Sequence, residues 1–437
     1  MSTASEQTIQ LLEEVVNEVP VGTNLGLIYL MWAMMSGAFL KSRGAIFTAL
    51  LALSLTDQQI RRSWSALRYG VWNIDELIAK WNGLVVREGK WKTHSYEGYT
   101  PIAGDLIIFW RPRLLDWAGK FYCGLTGRTE KGVGYGVLVE VGEINGHRIP
   151  LLKKIIRAKD GEMDDKHLKE RVLSYVSQHL GGNEVFVHDA GITIKDVQEA
   201  GVPLFTIRLA CNCTARRSEL PPRKKTGRPP EYGRIVRPVS RKRKGKKIPA
   251  SKPDFKTSFE RDGRTIHVKG WNNLVRTDQK VADTEESYSI LVFDDPLYKK
   301  PLVLGYNFEA KPETVFLLYL DRWPVEQIAL AAKQMMGMGR QFVFSTISVQ
   351  RLPELSMLAG NILTYLAAVL PPLSTGFWDR KPKRTPGRLR RALSQESFPK
   401  EYVFIERIRE KRSATDHLPK GIEGHRRVKK AKKVILT

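Results

Sequence analysis

The sequence predicts an α/β protein that has a helical amino-terminal region and a β-rich insertion. Apolar positions recur at helical spacing in residues 1–95. Between residues 99 and 209, apolar runs and helical patterns follow the order strand, strand, strand, helix, strand, helix, strand. Further strand-like stretches in residues 211–305 interrupt this order, and helical patterning resumes near Pro312. Strands that alternate with helices are typical of the α/β class.

These patterns divide the chain into five parts. They are a helical amino-terminal domain (residues 1–95), the first part of an α/β core (96–210), a basic β-rich insertion (211–305), the rest of the core (306–375) and a basic carboxy-terminal region (376–437). A chain of 437 residues is long enough for two or three domains with a large apolar core.

The net charge predicts a polyanionic partner. The chain has 71 Lys and Arg against 46 Asp and Glu, a formal charge of +25. The stretch Arg216–Lys247 alone holds fourteen cations and two glutamates, and it is interpreted as a loop or arm that faces phosphates. Arg380–Arg391 carries seven cations and no acid. The tail around Arg426 and Lys433 is interpreted either as a segment that orders on DNA or as a solubilising tail.

Cysteine usage and hydropathy favour a cytoplasmic, nucleoid-associated protein with no membrane partner. The three cysteines, Cys123, Cys211 and Cys213, do not have zinc-site spacing, which favours a reducing compartment. The uncharged run Leu25–Leu40 is sixteen residues long, which is short for a membrane span and favours a buried helix.

The amino-terminal region contains helix-start signals. Thr56-x-x-Gln59 and Asn73-x-x-Glu76 have the spacing of capping boxes, and each predicts the start of a helix. The segment between them, Ile60–Trp72, carries three arginines (Arg61, Arg62 and Arg68). Two interpretations stay open: a helix-turn-helix that reads the major groove of DNA, or an ordinary helical bundle.

The core segments each have a local signal. Thr100–Trp110 is an apolar run interrupted by Asp105, and Asn145-Gly146 predicts a hairpin between the next two strands. The predicted elements that follow are strands at Val133–Ile144 and Arg148–Ile156, a helix at Asp164–Leu180, a strand at Glu184–Val187, a helix at Thr193–Ala200 and a strand at Pro203–Leu209. His188 and Asp189 end the strand at Glu184–Val187. Asp105 and Asp189 therefore fall on the first and fourth strands.

A group of charged and phenolic residues follows the insertion. Tyr319, Arg322, Glu326 and Lys333 advance by three, four and seven positions, so on a helix they share nearly one face. A carboxylate can hold a divalent cation, while the cations and the phenol can hold phosphate oxygens. Pro324 interrupts the helix, either as a kink or as the first residue of a second helix.

This pattern resembles the Y-R-E-K signature of bacterial insertion-sequence transposases, the DD(E) family whose catalytic core is an RNase H-like mixed sheet with flanking helices. Trp323 after the arginine also fits the family. The resemblance covers roughly residues 99–345. It implies that Asp105, Asp189 and Glu326 are catalytic and hold two Mg²⁺ ions, which Mn²⁺ can replace. It also implies that Tyr319, Arg322 and Lys333 bind DNA phosphates and that Trp323 packs or stacks beside a DNA strand.

The resemblance implies a transposase that cuts double-stranded DNA at the ends of its mobile element. The freed 3′-hydroxyl groups would then be joined to target DNA, and a homodimer is expected because two ends must be brought together. Two alternatives stay open: a metal-dependent nuclease on the same fold, and a domesticated DNA-binding protein that does not catalyse a reaction.

A second carboxylate set competes with the first. Asp294 and Asp295 also end an apolar strand, about thirty residues before Glu326. If Asp189 were the first catalytic carboxylate and Asp294 or Asp295 the second, the spacing to Glu326 would resemble that of an integrase-type core. We prefer Asp105, because an RNase H-like core needs a hairpin after its first carboxylate and only Asp105 is followed by one.

Overall fold

The computed structural model describes residues 3–17, 23–115, 118–223, 227–283 and 286–399. The basic tail around Arg426 and Lys433 lies outside these residues. Twelve α-helices lie within the described ranges. They are α1 (Thr3–Val16), α2 (Leu27–Met35), α3 (Ala38–Lys41), α4 (Ile46–Leu51), α5 (Asp57–Tyr69), α6 (Ile74–Glu88), α7 (Asp165–His179), α8 (Ile194–Glu199), α9 (Pro312–Leu320), α10 (Pro324–Leu330), α11 (Thr346–Val369) and α12 (Pro386–Leu393).

The same ranges contain fifteen strands. They are β1 (Lys92–Thr93), β2 (Thr100–Trp110), β3 (Gly119–Cys123), β4 (Arg128–Ile144), β5 (His147–Arg157), β6 (Glu184–His188), β7 (Phe205–Arg208), β8 (Ala215–Arg217), β9 (Ile235–Val236), β10 (Arg241–Arg243), β11 (Lys246–Ile248), β12 (Phe255–Arg261), β13 (Arg264–Val275), β14 (Tyr288–Asp294) and β15 (Leu302–Tyr306). Short 3₁₀ turns lie at Thr23–Gly26 and Val281–Asp283, and Ala331–Met335 is π-helical.

Thirteen strands form one mixed sheet in the order β1-β4-β2-β6-β7-β15-β14-β13-β8-β9. β3 and β5 also pair with β4, and β12 pairs with β13. The pairs β2–β6 and β6–β7 are parallel, and the others are antiparallel. The structure confirms the predicted α/β class, with a mixed sheet and flanking helices.

Helices cover both faces of this sheet. Apolar residues of α7 and α8 pack against one face of β2, β4, β6 and β7. The opposite face of β2, β4 and β5 packs against α10, α11 and the amino-terminal helices in one continuous apolar core. α9 covers the neighbouring part of that face, over β6 and β15. The elements that carry the candidate site therefore meet on one face of the sheet.

The insertion extends the central sheet. β15 pairs antiparallel with β7, with Gly305 opposite Ile207, and β14, β13, β8 and β9 follow outward. Only β10 and β11 form a separate two-stranded ribbon. The other strands of the insertion are therefore joined to the core by backbone hydrogen bonds in one sheet. In the chain, the insertion separates β7 from α9.

The amino-terminal helices enclose α2. Every residue of α2 is buried, as predicted for the uncharged run Leu25–Leu40, but the run forms two helices and not one, because Gly37 has a positive φ angle between α2 and α3. α11 (Thr346–Val369) is the one described helix long and apolar enough to cross a membrane, and 94% of its most apolar window is buried inside the protein. Helices α5 and α6 are joined by a four-residue connection, and the exposed Arg61 and Arg68 lie on α5. DNA reading by this helix pair stays a prediction.

The two predicted capping boxes differ in the structure. Thr56 and Gln59 form the reciprocal pair: the Gln59 amide donates to Thr56 Oγ1 and the Thr56 amide donates to Gln59 Oε1. The predicted capping box between Asn73 and Glu76 was wrong, although Asn73 does cap α6. Its side chain accepts from the Asp75 amide at 2.9 Å, and Glu76 does not complete a box. An Asn side chain is short enough to cap the second helical amide by itself.

Replacing Thr56 by Ala should destabilise the protein by about 1 kcal/mol, because the cap hydrogen bond at the start of α5 is lost. Thr56→Ser keeps the hydroxyl and serves as the control. Urea unfolding of both variants checks this expectation. Equal stability of the two variants would show that the cap does not contribute.

Candidate functional site

Asp105 and Asp189 lie beside each other on the sheet. β2 and β6 are parallel, and Ala103 pairs with Val187. Two residues farther along, β2 carries Asp105 and the chain leaving β6 carries Asp189, so the two carboxylates stand at one level. The Phe186 ring of β6 lies over Gly104: a Cβ atom there would be 2.7 Å from it, so glycine leaves room for this ring beside Asp105. The two aspartates are close enough for the charge of Asp189 to raise the pKa of Asp105.

Asp105 is a carboxylate in a largely apolar setting. Its Oδ1 accepts from the Leu106 amide at 2.8 Å, and no described residue donates to its Oδ2. Burial raises the pKa of Asp105, and the charge of Asp189 raises it further, against the effects of His188 and Arg322. One oxygen of a disfavoured anion is thus left for a partner outside the chain.

Asp189 is held by its own turn. Its Oδ1 accepts from the Gly191 amide at 2.8 Å and lies 3.2 Å from Nδ1 of His188. The hydrogen bond from His188 holds the pKa of Asp189 well below its usual range. His188 itself is buried, and its Nε2 lacks a hydrogen-bond partner among the described residues. As with Asp105, the Oδ2 atom of Asp189 is not hydrogen-bonded within the described ranges.

The Y-R-E-K residues lie on four consecutive segments: Tyr319 on α9, Arg322 in the turn that follows, Glu326 on α10 and Lys333 in the π-helical segment. α9 ends at Leu320 and α10 begins with Pro324 as its first residue, so the second of the two alternatives for Pro324 is confirmed. Proline cannot donate the amide hydrogen bond that would continue α9, so the face shared by these residues is approximate. The corner nevertheless keeps Arg322 close to Glu326, with Nη2 and Oε1 2.7 Å apart.

The two cations of the signature face the aspartates. Arg322 is buried, and its charge lowers the pKa of both Asp105 and Asp189. Lys333 lies in the π-helical segment, with Nζ 5.4 Å from the Phe109 ring centre. Burial lowers the pKa of Lys333, and the charge of Asp105 opposes that effect. Arg322 therefore acts electrostatically on both aspartates, and Lys333 interacts with Asp105.

Tyr319 and Trp323 differ in accessibility. Tyr319 is buried, and burial raises the pKa of its phenol while the charge of Arg322 opposes the shift. Trp323 is exposed, and the Arg322 guanidinium lies 5.0 Å from its ring centre. Trp323, Glu326 and Lys333 line a surface cavity of about 510 Å³, which also includes Arg148. A planar group could enter this cavity against the indole ring.

Glu326 is the third predicted catalytic carboxylate, and it is bound to Arg322 rather than placed beside Asp105 and Asp189. Its side chain is partly exposed. Within the described ranges, no three His, Cys, Asp or Glu side chains are arranged to hold one metal ion. The structure thus brings together Asp105, Asp189, Arg322 and Lys333, with Glu326 attached to the group through Arg322.

The competing carboxylates are bound elsewhere. Asp294 Oδ2 lies 2.7 Å from Lys269 Nζ, and Asp295 Oδ1 accepts from Arg264 Nε at 2.9 Å. Asp294 ends β14 and Asp295 follows it, and β14 is three strands away from β6 in the sheet. They are ion-paired in the insertion and lie apart from Asp105.

Asp321 is a buried carboxylate beside the candidate site that the sequence interpretation missed. It is fully buried between α9 and α10, and its Oδ2 contacts His94 Nδ1 at 2.8 Å and the Tyr96 hydroxyl at 2.9 Å. Arg148 Nε lies 3.1 Å from its Oδ1. These contacts fix the corner that places Arg322. Sequence spacing does not connect Asp321 to partners more than 220 residues away along the chain.

Tyr96→Phe should lower the free energy of unfolding by about 2 kcal/mol, because a hydrogen bond to a buried carboxylate is lost. The control is Tyr99→Phe, which removes a hydroxyl that donates to the Glu309 carbonyl at an exposed site. Denaturant unfolding measures both. A Tyr96→Phe protein as stable as the control would contradict the anchoring role of Asp321.

No protein-family model and no curated protein matches this chain. The functional inference therefore rests on these residues and their geometry.

Proposed function

We propose that the chain is a DDE transposase with an RNase H-like catalytic core. The observation that carries the proposal is the alignment of Asp105 and Asp189 on adjacent parallel strands, facing Arg322 and Lys333. The antiparallel pairing of β2 with β4, and of β4 with β5, supports Asp105 as the first carboxylate, since this fold needs a hairpin after it. Glu326 follows on a late helix, as the resemblance requires.

The donor set suits the Mg²⁺ ions that the resemblance implies. Each aspartate keeps one oxygen without a hydrogen bond from the described residues. Mg²⁺ prefers carboxylate oxygens and takes one or two of them, completing its shell with waters and phosphate. Asp105, Asp189 and Glu326 would hold the ions. Bound Mg²⁺ would lower the pKa of an attacking water or hydroxyl and neutralise charge on the phosphate.

The remaining residues position DNA. Arg322 and Lys333 carry charge toward the aspartates, where a scissile phosphate would lie, and Tyr319 lies beside Arg322. A phosphate that binds Arg322 would compete with Glu326 for the guanidinium, because Arg binds phosphate and carboxylate through the same donors. Glu326 would thereby be released toward the aspartates only when DNA is present.

The reaction then has two steps. In the first, a water oxygen attacks the phosphorus at the element's end, the bond to the 3′-oxygen breaks, and that oxygen takes a proton to become a 3′-hydroxyl. In the second, this hydroxyl attacks a phosphorus of the target strand, the bond from that phosphorus to the target's 3′-oxygen breaks, and the released oxygen takes up the proton that the attacking hydroxyl loses. One phosphorus–oxygen bond forms and one breaks in each step. A dimer is proposed because the two ends must react together.

Strand transfer from a pre-cut end tests this proposal. A duplex that ends in the gene's bordering DNA with a free 3′-hydroxyl should join to a plasmid when Mg²⁺ is present, and a duplex of scrambled sequence should not. Cutting that ignores the terminal sequence would favour the nuclease. Binding without any cutting or joining would favour the non-catalytic DNA-binding protein.

A further inference from the structure

An exposed aromatic segment lies after Lys333 in the chain. Residues 340–347 run from the turn that follows the π-helical segment into the start of α11, and we call them the aromatic segment. Burial alternates along it: Gln341 and Val343 point inward, while Phe342 and Phe344 are 55% and 63% exposed. Ile347 is exposed beside them. Large apolar side chains clustered on a surface usually mark a binding site.

The aromatic segment is held from beneath by a buried arginine. Arg111 Nη1 donates to Gln341 Oε1 at 2.9 Å, and Nη2 donates to the Val343 carbonyl at 2.6 Å. The Arg111 guanidinium also lies 5.9 Å from the Phe344 ring centre. A buried arginine that uses its donors on this segment holds both phenylalanines outward. Their exposure is therefore a fixed feature of the fold.

Two exposed arginines, Arg340 and Arg43, lie next to the phenylalanines, whereas acidic side chains line the cavities at Thr346 and Ile347, the far end of the segment. Between Glu326 and Glu354 the chain has Lys333, Arg340 and Arg351 and no acidic residue. The turn at Arg43 lies against the segment, since the Phe342 amide donates to the Gly44 carbonyl at 3.4 Å. A side chain at Gly44 would collide with the Arg340 carbonyl oxygen, so this close contact needs glycine. The charge suits an anionic chain rather than an apolar protein surface.

The geometry matches bases of a nucleic acid strand. Same-side residues of an extended chain repeat about every 6.6 Å, which is close to two stacking distances of 3.4 Å each, so one base would fit between the two rings. Aromatic side chains bind unpaired bases by stacking, and nearby cations bind the phosphates. Arg111 directly follows β2, the strand that carries Asp105, and its side chain binds the aromatic segment, so the segment is attached to the strand of the candidate site.

We propose that Phe342 and Phe344 stack on unpaired bases of the bound DNA, with Arg43 and Arg340 on its backbone. This inference rests on the proposed function, because the strand in question is the one that reaches Asp105. The aromatic segment would hold DNA in a partly unpaired form next to the cut.

Binding to paired and mismatched DNA tests the inference. Two labelled duplexes of equal length are used, one fully paired and one with a run of internal mismatches. Wild type should prefer the mismatched duplex, and Phe342→Ala/Phe344→Ala should lose about tenfold or more in affinity for it. The double variant should keep its affinity for the paired duplex and its salt dependence, because phenylalanine does not bind phosphate.

Two controls separate stacking from other effects. Leu297→Ala/Tyr298→Ala removes two side chains that are 62% and 59% exposed after β14, and both DNA affinities should stay unchanged. Arg340→Ala should instead reduce the salt dependence of binding by about one phosphate contact on both duplexes. Circular dichroism checks that each variant is folded.

The outcomes are distinct. A wild type without preference, or a double variant that keeps the preference, overturns the stacking role even if the protein cuts and joins element ends. A double variant that loses dimerisation instead of mismatch affinity would assign the aromatic segment to a protein interface and overturn the inference too. A wild type that prefers mismatched DNA but does not cut would reject the transposase alone. A wild type without affinity for DNA would reject both proposals.

Discussion

Asp105→Asn is expected to reduce DNA cleavage and strand transfer by about 10³-fold or more, while DNA binding is retained. The carboxylate is proposed to hold a catalytic cation, and several kcal/mol of transition-state stabilisation depend on it. Asn keeps the shape of the side chain and removes its charge. The control is Asp294→Asn, which breaks an ion pair with Lys269 outside the site and should leave both activities unchanged.

The same substitution should stabilise the metal-free protein. Burial and the Asp189 charge raise the pKa of Asp105, so the folded protein binds this proton more tightly than the unfolded chain. Ionisation of Asp105 therefore lowers the free energy of unfolding, and this effect reaches its full size at pH values above the raised pKa. This cost disappears as the pH falls below the unfolded-chain value of about 3.9.

Thermal unfolding in EDTA should therefore show a higher Tm for Asp105→Asn than for wild type at pH 7, and the difference should shrink toward pH 4. Adding Mg²⁺ should raise the Tm of wild type more than that of the variant, because bound ligand stabilises the folded state. A variant that is less stable than wild type at pH 7 would identify Asp105 as a structural residue.

Arg157→Met is expected to cost about 3–5 kcal/mol of folding stability, because it leaves the carboxylate of Glu354 buried and unpaired. Glu354 is fully buried in α11, and Arg157 binds it through Nε and Nη2 and binds Gln350 through Nη1. Burial raises the pKa of Glu354, and Arg157 opposes this shift. The pair joins the end of β5 to α11, which supports α10 behind the site.

Removing both partners should recover most of the loss. Arg157→Met/Glu354→Leu replaces the pair with apolar side chains, a change that is often neutral in buried pairs. Arg228→Met, which breaks an exposed pair with Glu231, should cost about 1 kcal/mol or less. Denaturant unfolding compares the three proteins. A double variant as unstable as Arg157→Met would contradict the explanation by an unpaired charge.

Local signals predicted most of the core. Asn145-Gly146 joins β4 and β5, and both residues have the positive φ angles that this hairpin turn needs. The boundaries of β2, β6, α7 and α8 differ from the predicted ones by a few residues at most. Alternating burial and capping residues act within a short stretch of chain, which is why they can be recognised in one sequence.

Long-range pairing could not be predicted in this way. β4 begins at Arg128 rather than at Val133. Its polar first residues pair with β3, a strand that the sequence interpretation missed. The pairing of β15 with β7 joins residues about a hundred positions apart and does not leave a local pattern. The attachment of the insertion to the sheet therefore became visible only in the structure.

In the candidate site, too, some residues could be recognised from the local sequence and others only from the folded structure. Asp105 was recognisable because a charge inside an apolar strand is costly unless it has a partner. The signature spacing also located Arg322 and Lys333 beside the aspartates. Asp321 and Arg111 act through partners on distant segments, so their roles depend on the folded chain. The attachment of Glu326 to Arg322 was likewise visible only in three dimensions.

Excision of a marker flanked by the gene's own bordering DNA tests the central claim most directly. Wild type and Glu326→Ala are compared with Mg²⁺ present, and DNA binding is measured for both. We expect wild type to excise the marker at its ends, and Glu326→Ala to bind DNA without excision. Excision by Glu326→Ala at the wild-type rate would contradict the proposed catalytic site, and the absence of excision by wild type would contradict the transposase.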